Sequence, residues 1–370
     1  MAWTEKNRSG TYRGMFRDEH GKRRSAGTYD KEKTALGKAQ AAEDDARTRK
    51  PRESLTWLEW RQRWVGTRNV EASTLGRDNT RIANHVAPKW DGVKLEDISR
   101  PAVQAWVRDL SRAKADGGAG LSPSTVRKTV GVFSASLKAA MREGLIDANP
   151  CTALEYPAIP PSPERWLSTA EADALRDVLA DQYLFTFELL LGTGARWGEA
   201  CGIHWDDVDL SRKTVTLRWS WERREHYFKA PKTGRTRTVP IGDKLAALLT
   251  ERLDRDGLGE PPKVDYRGGS RPLYGVVLRT ATGTPPNGTS FAHGLTAAGN
   301  AAFTGSGVNR KRVGNVRPHD LRHSYASKLV QSGVPLDTVS KLMGHSSVLV
   351  TQRYASAGES QWDAVRGVLG

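Results

Sequence analysis

A chain of 370 residues is too long for one ordinary domain and predicts two or three. A hydrophobic fraction of 38% and twelve Trp supply real cores and exclude global disorder. A formal charge of +15 and a pI near 9.9 point instead to a polyanionic partner, nucleic acid first. Cys151 and Cys201 stand far apart without metal-ligand spacing, which excludes a disulfide framework and a cysteine zinc cluster and fits a reducing compartment. There is no long apolar run and no hydrophobic leader, so a soluble cytoplasmic protein without a membrane partner is expected. In that setting the Asn287-Gly288-Thr289 sequon is accidental.

Residues 1–52 hold fourteen Lys and Arg against eight Asp and Glu, which sets them apart as a basic unit. Thr11–Arg17 alternates between ring or apolar and polar positions, and Asp18-Glu19-His20-Gly21 is a turn signal. Lys22–Tyr29 then reads as the returning strand, with Asp30 placed to cap a helix through Asp45. A hairpin bearing Arg13, Arg17, Lys22, Arg23 and Arg24 suits the DNA major groove, which admits a two-stranded ribbon. The plainer alternative is a solubilising surface.

A charged segment around Pro51 leads into a helical region from 54 to about Cys151. Trp57, Trp60 and Trp64 recur at helical spacing, and Ser99 with Pro101 opens a helix through Leu110. Beyond the loop at Ala115–Gly120, Pro123 opens another helix, with the apolar stripe Val126, Val130, Phe133, Leu137 and Met141 and a stop at Gly144. Tryptophans in this pattern are core before they are a base-stacking surface. Arg127 and Lys128 lie off the stripe, in reach of phosphates or of solvent alone.

The proline-rich stretch Tyr156–Pro163 reads as a stiff linker, and the capping box Ser168-Thr169-Ala170-Glu171 opens the next domain. A helix through Tyr183–Leu191 runs into Gly192–Glu199, whose glycines do not have dinucleotide-loop spacing. The alternative is a turn presenting Arg196, with Glu199 one turn on to orient a cation. Lys213–Trp219 alternates as a strand, and Tyr227–Lys232 with Arg237–Ile241 flanks Thr233-Gly234-Arg235 as an antiparallel hairpin. Between Arg212 and Pro240 lie nine Lys or Arg and two acidic residues, a density that grips a phosphate backbone, with Arg235 and Arg237 as candidate contacts. Residues 256–315 show one strand signal, Leu273–Leu278.

His319-Asp320-Leu321-Arg322-His323 imitates a zinc-binding HExxH, but Asp replaces the Glu and Arg322 would bring a cation beside the metal. On a helix, His319 and Arg322 share a face and both can donate to phosphate oxygens. His323 and Tyr325 read as support or core. Gly344 ends the helix Leu336–Met343 and turns His345 outward. Tyr354 follows nine residues later. Read alone it would be core, and to act as a nucleophile it needs neighbouring cations, because its ordinary pKa is about 10.

This set resembles the tyrosine recombinase family, and within it the three-domain phage-type integrases. The family's Arg, Lys, His-x-x-Arg, His or Trp, and Tyr fall on Arg196 in TGARWGE, Lys232 in the hairpin, His319 and Arg322 in HDLRH, His345 in MGH and Tyr354 in TQRY. Glu199 matches the acidic position, and Lys229 is the alternative to Lys232 near the same turn. The resemblance implies a multidomain α+β protein. Residues 1–52 would be a small arm-binding module of β-hairpin or sheet plus helix. Residues 54–151 would be an all-α core-binding domain, and 163–370 a mainly α catalytic domain with a small antiparallel sheet. It further implies cleavage of double-stranded DNA attachment sites through a 3′-phosphotyrosine, with no cofactor and no metal. The implied assembly is a homotetramer on synapsed DNA, with a host DNA-bending protein and an excisionase as partners in a bacterial nucleoid.

Overall fold

The computed structural model describes residues 2–18, 21–48, 53–160, 165–230, 236–345, 347, 349–352 and 354. The chain forms two compact units, Met1–Pro160 and Pro161–Gly370.

The first unit opens with three antiparallel strands, β1 (Trp3–Lys6), β2 (Tyr12–Arg17) and β3 (Arg23–Tyr29), followed by the helix α1 (Glu32–Thr48). The expected hairpin is β2–β3, and β1 adds a third strand through the register Trp3↔Met15 to Lys6↔Tyr12. Small residues let α1 approach: a Cβ at Gly14 would stand 2.4 Å from the Ala35 carbonyl oxygen, and Ala35 and Ala39 are fully buried. The helix starts one residue later than an Asp30 cap predicts, since the Ala35 N–H bonds the Lys31 carbonyl at 3.0 Å.

The rest of this unit is helical: α2 (Trp57–Gly66), α3 (Ala72–Arg81), a π-turn at Ile82–Val86 leading into α4 (Ala87–Trp90), α5 (Arg100–Ser111) and α6 (Pro123–Arg142). Pro88 cannot donate to the preceding turn, which accounts for the wide π-turn just before it. The tryptophans are core. Phe133 of α6 stacks on Trp90 at 5.1 Å and meets Trp57 and Trp106 edge-on at 5.4 Å. The indole N–H groups of Trp57 and Trp60 both end on Ser136, one on its hydroxyl and one on its carbonyl, so burying these rings strands no donor there.

In the second unit, helices α7 (Thr169–Val178), α8 (Asp181–Thr193), α9 (Trp197–Ala200), α10 (Asp243–Asp256), α11 (Gly288–Ala301), α12 (Pro318–Gln331), α13 (Leu336–Met343) and α14 (Leu349–Gln352) accompany short strands. The capping box at Ser168 is present on α7. Strands β4 (Val208–Asp209), β5 (Thr214–Leu217) and β8 (Arg237–Pro240) form one sheet. Strands β6 (Ser220–Glu222), β7 (Tyr227–Lys229) and β9 (Tyr266–Arg267) form another. A third, two-stranded pair joins β10 (Phe303–Thr304) and β11 (Lys311–Arg312).

The sheets correct one expectation: among the described residues, the strands flanking Thr233-Gly234-Arg235 do not pair with each other. Val239 of β8 pairs with Val215 of β5, and both enter the main core. Phe228 of β7 instead packs with Trp219 and Val276 in a separate cluster. Burial on two different cores pulls the two strands apart. Leu273–Leu278 likewise forms no strand. It contributes one bridge, His204 to Val276, and leaves Leu273 76% exposed. Helix α11 was hidden by its Gly, Ala and Thr content. Asn287 of the sequon is its N-cap, its side-chain oxygen accepting the Thr289 N–H at 3.0 Å.

Candidate active site

Helix α8 ends at Gly194, whose φ of +60° is the left-handed conformation of a C-cap. A Cβ there would lie 2.4 Å from Cδ1 of Tyr325, so glycine serves both the turn and the close approach of α12. The turn delivers Arg196 to the N-cap of α9, where it shares a capping box with Glu199. The Arg196 side chain remains 47% exposed, leaving its guanidinium open to a ligand.

Glu199 is buried and gathers three arginines. Its carboxylate accepts the Arg196 backbone N–H at 2.8 Å and Nη1 at 2.9 Å. It also accepts Nη2 and Nη1 of Arg237 at 2.6 and 3.1 Å, and Nη1 of Arg322 stands at 3.9 Å. Burial works against its ionisation, yet the hydrogen bonds and charge of Arg237, then of Arg196, hold its pKa down at about 2.

Arg322 projects from α12 into the interior, only 2% exposed. Its Nη1 donates to the Gly194 carbonyl at 2.7 Å and its Nη2 to the Met343 carbonyl. These oxygens terminate α8 and α13, where unpaired carbonyls and the helix dipole favour a cation. Burial, then the charge of Arg196, lowers the Arg322 pKa to about 9, still above neutrality. Arg237 braces the same helix end, its Nε donating to the Leu342 carbonyl at 2.8 Å. Two arginines therefore hold the end of α13 from which Gly344, at φ +62°, releases His345.

His345 is fixed by a 2.9 Å contact between its Nδ1 and the hydroxyl of buried Thr351. Tyr354 follows α14 with its ring 2% exposed, in a cluster with Tyr325, Ala326, Val330, Val339 and Met343. Its hydroxyl lies 2.6 Å from Nδ1 of His323. His319 meets the His323 ring edge-on at a centroid distance of 4.6 Å. Desolvation first, then His323, Arg322 and Arg196, lowers the His319 pKa to about 4. Asp320 serves the helix rather than a metal, accepting the Arg317 backbone N–H at 2.8 Å and its guanidinium at 3.1 Å.

The structure thus joins Arg196 to Glu199 by hydrogen bonds, brings Arg322 to the same carboxylate as an ion pair at 3.9 Å, and sets Tyr354 against α12. Lys232 and Arg235 lie outside the described residues. Lys229 pairs with Glu222 at 3.2 Å inside the small sheet, with both side chains largely buried. Arg237 is a correction. Expected among the DNA-facing cations, its side chain is only 10% exposed and is spent on Glu199 and Leu342. Arg13, Arg17, Lys22, Arg23 and Arg24 are exposed on the N-terminal strands and their turn. Arg23 pairs with Glu5, Arg24 with Asp18 at 2.9 Å, and Arg17 with the Gly21 carbonyl. Arg127 and Lys128 are exposed on α6, the Arg127 guanidinium resting over the Tyr156 ring.

Sequence reasoning read His323 only as support or core and did not single out Thr351. The signal for His323 was available, since it follows His319 by four residues on one helical face. Thr351 carried no such signal.

Residues 164–360, more than half of the chain, match the phage integrase family. A tyrosine recombinase XerC-like protein of Caldanaerobacter subterraneus subsp. tengcongensis is 28% identical over 280 residues, covering 70% of this chain and 67% of that one. The tyrosine recombinase XerD of Mycobacterium leprae is 29% identical over 308 residues, covering 78% and 87%. In fold the chain is similar to the Tn1549 transposon integrase solved with a circular-intermediate DNA. That match has a TM-score of 0.68 at 19% identity, over 86% of this chain and 100% of that one. It is also similar to a lambda integrase dimer bound to a COC′ core site, at a TM-score of 0.58 and 18% identity over 95% and 93%. With a buried tyrosine beside the arginine network of α8, α9 and α12, the chain belongs to the phage integrase family and is a tyrosine recombinase.

Proposed function

We propose that this protein integrates and excises a phage or other mobile element by cutting and rejoining DNA at attachment sites. Tyr354 attacks a phosphodiester to give a 3′-phosphotyrosine and a free 5′-hydroxyl. Arg196, Arg322 and His345 stabilise the charge that builds on the phosphoryl oxygens, Glu199 orients the arginines, and Lys232 protonates the leaving oxygen. His319 helps to manage the tyrosine proton. The phosphotyrosyl bond keeps the energy of the broken linkage, so a partner strand's 5′-hydroxyl reseals it without a nucleotide cofactor. The observation that carries this reading is the convergence of Arg196 and Arg322 on one buried carboxylate, with the Arg196 guanidinium left open.

Residues 1–52, with Arg13, Arg17, Lys22, Arg23 and Arg24, would read outlying arm sites, and Arg127 and Lys128 with the helical region would grip the core site. Lambda integrase has been solved as a tetramer on a Holliday junction. A homotetramer on two synapsed duplexes is the corresponding assembly here, with a host DNA-bending protein and an excisionase setting direction.

The experiment is trapping on duplex DNA nicked beside the cleavage position. Wild type should accumulate a covalent protein–DNA adduct and Tyr354→Phe none, and identical behaviour of the two proteins would sink the mechanism. The XerC and XerD relatives favour a second reading, resolution of chromosome dimers by the same chemistry. The three-stranded basic module at the N-terminus supports integration instead. Loss of recombination on full attachment sites, with core-site cleavage intact, on neutralising its arginines separates the two.

A further inference from the structure

His323 stands one residue after Arg322 and one turn after His319 on α12, half-buried, and its Nδ1 is 2.6 Å from the Tyr354 hydroxyl. The two rings lie 5.7 Å apart between centroids. The phenol thus meets a nitrogen base inside the wall that buries it. A tyrosine with an ordinary pKa of about 10 is a poor nucleophile at neutral pH. A base within hydrogen-bond reach of the proton to be removed is the geometry general base catalysis requires.

We propose that His323 is the catalytic proton acceptor for Tyr354 during strand cleavage and the donor that returns the proton during rejoining. The assignment rests on the reading of Tyr354 as the nucleophile. It requires the His323 tautomer with its proton on Nε2, which points the Nδ1 lone pair at the phenol. Tyr354 O–H breaks, its proton passes to Nδ1, and the oxygen's electron pair forms the new bond to phosphorus. The bond from phosphorus to the 5′-oxygen breaks, and that oxygen takes a proton from the Lys232 ammonium. In rejoining, the 5′-hydroxyl gives its proton to the lysine amine as it attacks. The departing tyrosine oxygen then recovers its proton from the His323 imidazolium. His319 helps by remaining neutral: desolvation first, and then the charge of Arg322 and Arg196 among its neighbours, lowers its pKa, so it sets no charge beside the His323 ring near neutrality.

The test is single-turnover cleavage of a nicked attachment-site duplex by the full chain, comparing wild type with His323→Gln and His323→Ala. Gln keeps hydrogen-bonding atoms and roughly the shape but cannot serve as a base. Both variants should bind the duplex as wild type does and cleave it slower by about 10² or more, the scale of a lost general base. A second measurement places a fluorinated, more acidic tyrosine at position 354. It should restore most of the lost rate in His323→Gln and change wild type little, because an already acidic phenol needs no base. A merely structural histidine would show no such recovery. Wild-type adduct with His323→Gln within about threefold of it, or no recovery with the fluorinated tyrosine, overturns the His323 assignment alone. Absence of any wild-type adduct overturns the reading of Tyr354 and the role of His323 with it.

Discussion

Glu199→Gln removes one charge from the point where three arginines meet. The variant amide still has an oxygen for the Arg196 backbone N–H, but it cannot also receive both Arg237 donors. Arg237 would keep its cation at 10% exposure with only the Leu342 carbonyl to answer it. Breaking a buried pair on one side costs about 3–5 kcal/mol. The pKa gives an independent figure, since a carboxyl held at about 2 rather than 4.5 contributes about 3 kcal/mol near neutrality. The folded pKa is depressed, so this contribution is complete above the unfolded value near 4.5 and disappears as pH falls toward 2. Thermal unfolding of the full chain should show the transition of the second unit lowered by roughly 6–12 °C at pH 7, taking about 2–4 °C per kcal/mol for a unit of this size. The gap between variant and wild type should close as the medium is acidified below about pH 4. Adding Arg237→Met to Glu199→Gln removes the stranded cation and should recover part of the loss. A shift below about 2 °C at pH 7, or a double variant worse than the sum of its parts, would refute the account of Glu199 as the hub.

Two further outcomes follow from local geometry. Gly194→Ala puts a Cβ at φ +60° and 2.4 Å from the Tyr325 ring, and should cost about 1–3 kcal/mol by denaturant unfolding and impair cleavage by displacing Arg196. Arg13→Gln with Arg17→Gln should weaken binding to full attachment sites and reduce the slope of log affinity against log salt by about 2, with unchanged affinity for an isolated core site.

Local order was largely legible from residue pattern. Ser99 and Pro101 start α5, Gly344 ends α13 after Met343, and the stripe through Val126, Val130, Phe133 and Leu137 is fully buried on α6. Each is written in a few adjacent residues, by a cap, a left-handed stop or a helical period. Strand pairing was less legible because it depends on distant partners. β1 pairs beside an expected two-stranded hairpin, β7 and β8 part company to enter different cores, and α11 lacks the bulky periodic residues that reveal a helix. In the site, the motifs around Arg196, HDLRH, MGH and Tyr354 drew attention to the residues. No motif could show that Arg237 turns inward.

The sequence by itself determined which chemistry is at hand, because cations, imidazoles and one tyrosine in that order are a property of composition and spacing. Only the tertiary structure decided how those groups are shared out. Glu199 became the common anion of Arg196, Arg237 and Arg322 because α8, α9, β8 and α12 bury their ends together, where a lone cation would be costly. The Tyr354 hydroxyl found His323 for a similar reason, since a buried polar group must be satisfied by whichever partner the packing brings within reach.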